Sequence, residues 1–176
     1  MALTVVQPEV GGTGNANLTF PNTTGTVMVS GNNPTFYAYR NSDYTITSST
    51  WTKVPLNAEL FDTANAFDST TNYRFQPTVA GYYQLNGNIC LYSPTSLTRA
   101  IVAIKKNSGT LYVGLDFGTP ATYDSQYVGT VSLILYFNGS TDYAELWGYI
   151  YGNTPLFAGS NTGEITYLNG TLVRNA

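Results

Sequence analysis

Histidine is absent from this chain of 176 residues, and cysteine occurs once. Without histidine there is no imidazole general base, none of the commonest metal ligand, and no side chain that titrates unperturbed near neutral pH. A single cysteine, Cys90, excludes an intrachain disulfide framework. Its place in an alternating apolar run reads as a buried, inert thiol. Charge is scarce as well: charged residues make up 10%, with seven Lys and Arg against ten Asp and Glu. The cations are scattered and form no basic stripe, so nucleic acid is not an expected partner. No stretch approaches 18 apolar residues, and membrane insertion is not expected. The opening MALTVVQPEVGGTG has no basic region followed by a long apolar core, so it does not read as a signal peptide.

What is abundant is tyrosine, 15 of them, among many Asn, Thr and Gly. An isolated domain with so few surface charges is poorly soluble, so aromatic surface is expected to be covered by oligomerisation. Helical periodicity is nearly missing, whereas strand alternation recurs. Tyr83, Leu85, Gly87, Ile89 and Leu91 share one face, and Gln84, Asn86 and Asn88 the other. Further runs cover residues 100–106, 111–117, 131–137, 144–151 and 164–173. In the fifth, Ala144, Leu146, Gly148 and Ile150 alternate with Tyr143, Trp147, Tyr149 and Tyr151. Turn signals separate the runs, at residues 107–109, 118–120, 138–139 and 152–155. Asn138-Gly139 and Asn169-Gly170 both read as turns. Many short strands at regular spacing predict a two-sheet sandwich or jelly roll.

Two segments stand apart. Residues 67–85, FDSTTNYRFQPTVAGYYQL, run from a polar turn through Phe75, Pro77 and Gly81 to the pair Tyr82-Tyr83. They are expected to form a central strand pair, with Tyr83 and Leu85 in the core and Tyr82 and Gln84 facing outward or toward a neighbour. Residues 1–33 are rich in Gly, Asn and Thr, with short apolar pulses at Leu18, Phe20, Val27 and Val29. They cannot form a core alone. They read as an extended attachment arm before a head domain of residues 34–176.

Taken in order, the landmarks resemble the globular head of the first complement component, a branch of the tumour necrosis factor-like jelly rolls. The resemblance rests on a Phe-centred strand at residues 34–39, a second short strand at 51–56, and Phe67-Asp68, Phe75 and Ala80-Gly81-Tyr82-Tyr83. It continues through the hairpin at 106–109, the strand 129–135, a Gly-Asp turn at 139–142 and a closing motif at 167–172. It implies an all-β, antiparallel two-sheet jelly roll assembled as a homotrimer. There is no Gly-x-y collagen stalk before the head, and the 139–142 turn and the closing motif are each lengthened. The arm motif, residues 10–27, is similar to Gly-Gly-Thr-Gly…Thr-Gly-Thr-Val segments of bacteriophage tail-fibre and other virion proteins.

The trimer implied by this resemblance offers a use for the stripe Tyr143, Trp147, Tyr149 and Tyr151, because large aromatics facing away from a core usually mark a covered interface. Enzymatic activity is not expected. Asp142 and Glu145 fall on opposite faces of a strand, which suits no shared glycosidase site, and a serine nucleophile lacks a histidine. No cofactor is expected, and no metal spacing is present; Asp116, Asp124 and Asp142 are the weak candidates for calcium. Tyr92, Tyr112, Tyr123 and Tyr127 are candidate ligand-loop aromatics for a sugar. The expectation is a virion structural protein that contacts itself, other virion proteins through residues 1–33, and a host cell-surface glycan as a tail-fibre head. The alternative is a trimeric capsid decoration protein that cements the phage head. From another class comes a recognition head secreted by a non-classical route.

Overall fold

The computed structural model describes residues 33–121, 125–163 and 165–176, and of 119–121 and 125 the backbone alone. The arm residues Leu18, Phe20, Val27 and Val29, and also Tyr123 and Asp124, lie outside the described residues. Among those described there is no helix. The strands are β1 (Thr35–Tyr39), β2 (Tyr44–Thr45), β3 (Thr52–Lys53), β4 (Ala58–Asp62), β5 (Phe67–Asp68), β6 (Arg74–Phe75), β7 (Gly81–Ser93), β8 (Leu97–Lys106), β9 (Leu111–Ala121), β10 (Ser125–Phe137), β11 (Ala144–Gly152), β12 (Leu156–Ala158) and β13 (Tyr167–Asn175).

Period-2 alternation decides which side of each strand is buried, and pairing of those sides makes two antiparallel sheets. Sheet A runs β2-β12-β7-β13-β1-β4, and β10 lies on the other edge of β7. Along that edge β10 pairs with all of β7, from Ser125↔Ser93 to Phe137↔Gly81. The opposite edge of β7 takes β13 along residues 81–88 and β12 along 90–92. Sheet B runs β5-β6-β11-β8-β9, with β3 also on β11. The chain crosses between sheets from β7 to β8, from β9 to β10 and from β10 to β11. This two-sheet jelly roll is the architecture that the alternation and the resemblance predict.

The core lies between the sheets. Sheet A contributes Phe36, Tyr83, Leu85, Ile89 and Phe137, and sheet B contributes Phe75, Ile104, Leu146 and Ile150, all essentially inaccessible. Phe75 fastens the layers together: its ring stacks on Phe36 at 4.2 Å and meets Tyr83 and Phe137 edge-on at 5.3 and 5.7 Å. Burying each such ring stabilises the fold by roughly 1.5–3 kcal/mol. The Tyr83 hydroxyl keeps one bond by donating to the Val79 carbonyl at 2.9 Å. Burial pushes its pKa up to about 12.

Three sequence expectations change here, the first being the turn at 118–120, which lies inside β9 with Gly118 opposite Arg99. Residues 67–85 hold a strand pair, but not a central one: β5 and β6 pair as Phe67↔Phe75 and Asp68↔Arg74. β5 and β6 are short strands at the end of sheet B, while β7 is an inner strand of sheet A. The segment therefore links the two layers, and Phe75 and Tyr83 meet across the core rather than along a ladder. Asn169-Gly170 is no turn either: it lies inside β13, with Gly170 opposite Leu85. A Cβ at Gly170 would sit 2.5 Å from the Leu85 side chain and 2.9 Å from Phe36. Here the glycine answers to close packing, a demand that the dipeptide does not disclose. Asn138-Gly139 does turn: Gly139 has φ +70°, and Asn138 Oδ1 accepts the amides of Ser140, Thr141 and Asp142.

Candidate functional site

The outer faces of the two sheets differ in kind. Of the ten large apolar side chains left exposed among the described residues, eight belong to strands of sheet A: Tyr44, Leu60, Phe61, Tyr82, Val128, Ile134, Tyr136 and Val173. In β10 the inward residues Val131, Leu135 and Phe137 are buried, yet the outward ones include Val128, Ile134 (54% exposed) and Tyr136. Tyr136 leans on Tyr82 of β7 at 5.4 Å. Beside this apolar end a polar ladder crosses three strands. Gln84 Nε2 donates to Ser132 Oγ (2.9 Å), Ser132 Oγ to Asn86 Oδ1 (2.8 Å), and Asn86 Nδ2 to Asn169 Oδ1 (3.0 Å). Beyond it Tyr37 stacks on Tyr167 at 4.9 Å and meets Phe61 at 6.2 Å. A shallow groove of about 250 Å³ runs between Phe61 and Asn169, floored by Gly170.

The edge of this sheet adds to the pattern. Among the described residues β10 pairs only with β7, so its other edge carries no ladder. Its thirteen residues hold neither a charge nor a proline. Soluble monomers usually blunt such an edge with lysine, proline or a bulge.

Sheet B exposes far less apolar surface. The stripe Tyr143, Trp147, Tyr149 and Tyr151 does face out of the core, as the alternation predicts, while Ala144, Leu146, Gly148 and Ile150 are buried. Cations from the neighbouring strands β6 and β8 cover the stripe, however. Arg74 lies over Tyr143 at 4.4 Å, Lys105 over Trp147 at 4.6 Å, and Arg99 over Tyr149 at 5.9 Å. Trp51 packs on Tyr149 at 5.8 Å. Glu145, 7% exposed, accepts from Lys53 Nζ at 3.0 Å and from Trp147 Nε1 at 2.9 Å. Only Tyr151 stands free, at 56% exposure.

Comparison with known proteins bears on the scaffold. No family model matches the chain, and no curated protein matches its sequence. Solved structures do match. The globular domain of zebrafish complement 1qA protein is 19% identical with a TM-score of 0.55, and the match covers 81% of this chain and 99% of that one. The Eiger TNF from S. frugiperda is 9% identical with a TM-score of 0.58, covering 82% and 93%. Murine APRIL at pH 5.0 is 10% identical with a TM-score of 0.54, covering 80% and 99%. The fold is a complement 1q and tumour necrosis factor-like jelly roll. At these identities the likeness fixes the scaffold and leaves function to the surface.

The other predicted residues are dispersed. Tyr92, Tyr112 and Tyr127 are in strands rather than loops, and Tyr112 and Tyr127 pack against the core, Tyr127 at 4.7 Å from Phe117. Asp116 is held by Arg99 through two bonds of 2.9 and 2.7 Å, which lower its pKa. Asp142 accepts from Asn107 Nδ2 and pairs with Lys106 at 2.9 Å; the Asn107 bond leads in holding its carboxyl below the usual range. Among the described residues no three metal-ligating side chains cluster. Cys90 is inaccessible, and burial pushes its thiol pKa up despite the bond from Gln126 Nε2 at 2.9 Å. The sequence reading did not single out Val128, Ile134 and Tyr136. Their signal is a run that is uncharged from residue 125 to 137 and apolar on both faces from residue 133 to 137.

Proposed function

We propose that this protein is a non-catalytic structural head that assembles as a homotrimer, with the outer face of sheet A as its assembly surface. In this reading residues 1–33 attach the head to a virion, and the assembled head adheres to a host-surface glycan as the tip of a tail fibre. The observation that carries the assembly is the concentration of exposed apolar side chains on sheet A beside the uncharged, unpaired edge of β10. Apolar side chains left exposed together, as at Tyr82, Ile134 and Tyr136, mark contact sites, and the ladder Gln84–Ser132–Asn86–Asn169 offers amides to set register between copies. Virion placement is supported by the Gly-Gly-Thr-Gly…Thr-Gly-Thr-Val pattern of the arm.

Light scattering of the purified full chain is expected to give the mass of three copies; a monomeric mass overturns the assembly. Electron microscopy of intact particles with a tagged chain is expected to place it at the tail. Density on the capsid lattice would sink the fibre role.

A further inference from the structure

We propose that residues 26–30 of one copy add a strand to the open edge of β10 in the next copy of the trimer. This placement rests on the trimeric reading above, and it leaves residues 1–25 to attach the head to a virion. The edge is not equally open along its length. β9 closes on it at one point, where a Cβ at Gly114 would lie 2.3 Å from the Thr130 carbonyl oxygen and 2.5 Å from Val131 Cα. Past that point residues 132–137 pair with β7 on one side and, among the described residues, with nothing on the other. The free N–H and C=O groups of such an edge are a template for another extended chain. Ile134 and Tyr136 project outward and exposed from this stretch, and Leu133 is half-buried on the inner side.

Composition selects the occupant. Residues 26–30 read Thr-Val-Met-Val-Ser and lie outside the described residues; Glu9 is the only charged side chain in residues 1–33. An uncharged segment on an uncharged edge leaves no ion to desolvate. Thr26, Val27 and Val29 are β-branched, which suits an extended chain. In a strand Val27 and Val29 fall on one face and Met28 on the other. The host edge is apolar on both faces over residues 133–137, so each side of the added strand meets apolar neighbours. The second open edge of sheet A, β4, fits worse: it holds Glu59 and Asp62, and its register shifts against β1.

Chain length decides whose edge is used. The Pro34 carbonyl accepts the Leu172 amide at 3.0 Å. Leu172 pairs with Tyr83 and Tyr83 with Leu135, so β1 begins level with Leu135. With β13 and β7 between β1 and β10, a strand added beyond β10 lies four strand spacings from Pro34, about 19 Å. The chain from residue 30 to Pro34 spans at most about 14 Å. Residues 26–30 cannot form a hairpin with β1 instead, because β13 and β4 already occupy both its edges. The β10 within reach is therefore that of another copy. Pairing of β10 with β10 would be self-complementary and close a dimer. Arm on edge is a head-to-tail contact, which can close a ring of three.

The test is amide hydrogen exchange on the full chain, with mass by light scattering at each concentration. Val29→Pro removes a ladder donor from the segment, and Thr13→Pro is the control; both lie outside the head domain. At the mass of three copies, the amides of residues 132–137 that face away from β7 are expected to exchange slowly. Val29→Pro is expected to speed them about a hundredfold and to leave residues 168–172 of β13 unchanged. Thr13→Pro is expected to alter neither stretch. Dilution until the mass falls to one copy is expected to free residues 132–137 in wild type too. Fast exchange there in a wild-type trimer overturns the inference and leaves the trimer standing. Slow exchange that Val29→Pro does not alter means that another surface, such as a second β10, covers the edge, and also overturns it. So does protection that survives in the monomer, which puts the arm on its own copy. A monomeric mass at every concentration removes the trimeric reading and this placement with it.

Discussion

Sheets A and B share one core, but the chain finishes their outer faces in opposite ways. On sheet B every ring of the stripe except Tyr151 is capped by a cation or another ring from elsewhere in the sequence. On sheet A, Ile134 and Val128 stand open beside a polar ladder, and Tyr136 and Tyr82 stay more than 40% exposed even with Lys106 5.8 Å from the Tyr136 ring. The difference teaches that an outward aromatic stripe is a poor guide to an interface until its cover is known. A surface finished in cis needs no partner to hide it; a surface left apolar beside an unpaired edge does.

The sharpest way to break this comparison is to place one charge on each face. Ile134→Lys on sheet A would bring like charges together at the assembly face, and is expected to weaken self-association about a hundredfold or more. Val113→Lys, equally exposed on sheet B, is expected to leave the mass by light scattering unchanged. Equal effects would erase the distinction between the faces.

Next comes the shared core. Phe75→Ala removes the ring that touches Phe36, Tyr83 and Phe137, and should lower unfolding free energy in urea by about 3–5 kcal/mol. A loss below about 1 kcal/mol would mean that the two layers do not depend on this contact. Glu145→Ala tests how much the cover of sheet B matters, since it strips partners from both Lys53 and Trp147. About 2 kcal/mol should be lost, without change in assembled mass.

The smallest effect concerns pH. Amides of Thr71 and Thr70 hold the Asp68 carboxyl well below the usual range. A depressed folded pKa contributes stability above the unfolded value, near pH 4, and that contribution fades as pH falls. Wild type should therefore melt above Asp68→Asn at neutral pH, with the gap narrowing below about pH 4. A gap that is constant from pH 7 to 3 would show that the carboxylate charge plays no part in the turn.

Much of the architecture was legible because strand alternation is local. Tyr83, Leu85, Ile89 and Leu91 declared their face within one run, and so did Ala144 to Ile150. The candidate site was less legible. Tyr112 and Tyr127 carry no local mark that they pack against the core, and Asn169-Gly170 looks like a turn until Leu85 and Phe36 are seen against it. Lys53 reaches Glu145 across 92 residues of sequence, a contact that periodicity cannot register.

The sequence by itself determined the all-β class, the inward and outward sides of β7, β10 and β11, and the lack of an imidazole-based chemistry. Tertiary structure alone decided which outward side is covered. The reason is physical: side-chain direction in a strand follows from its own pleat, whereas cover depends on strands brought alongside by non-local pairing.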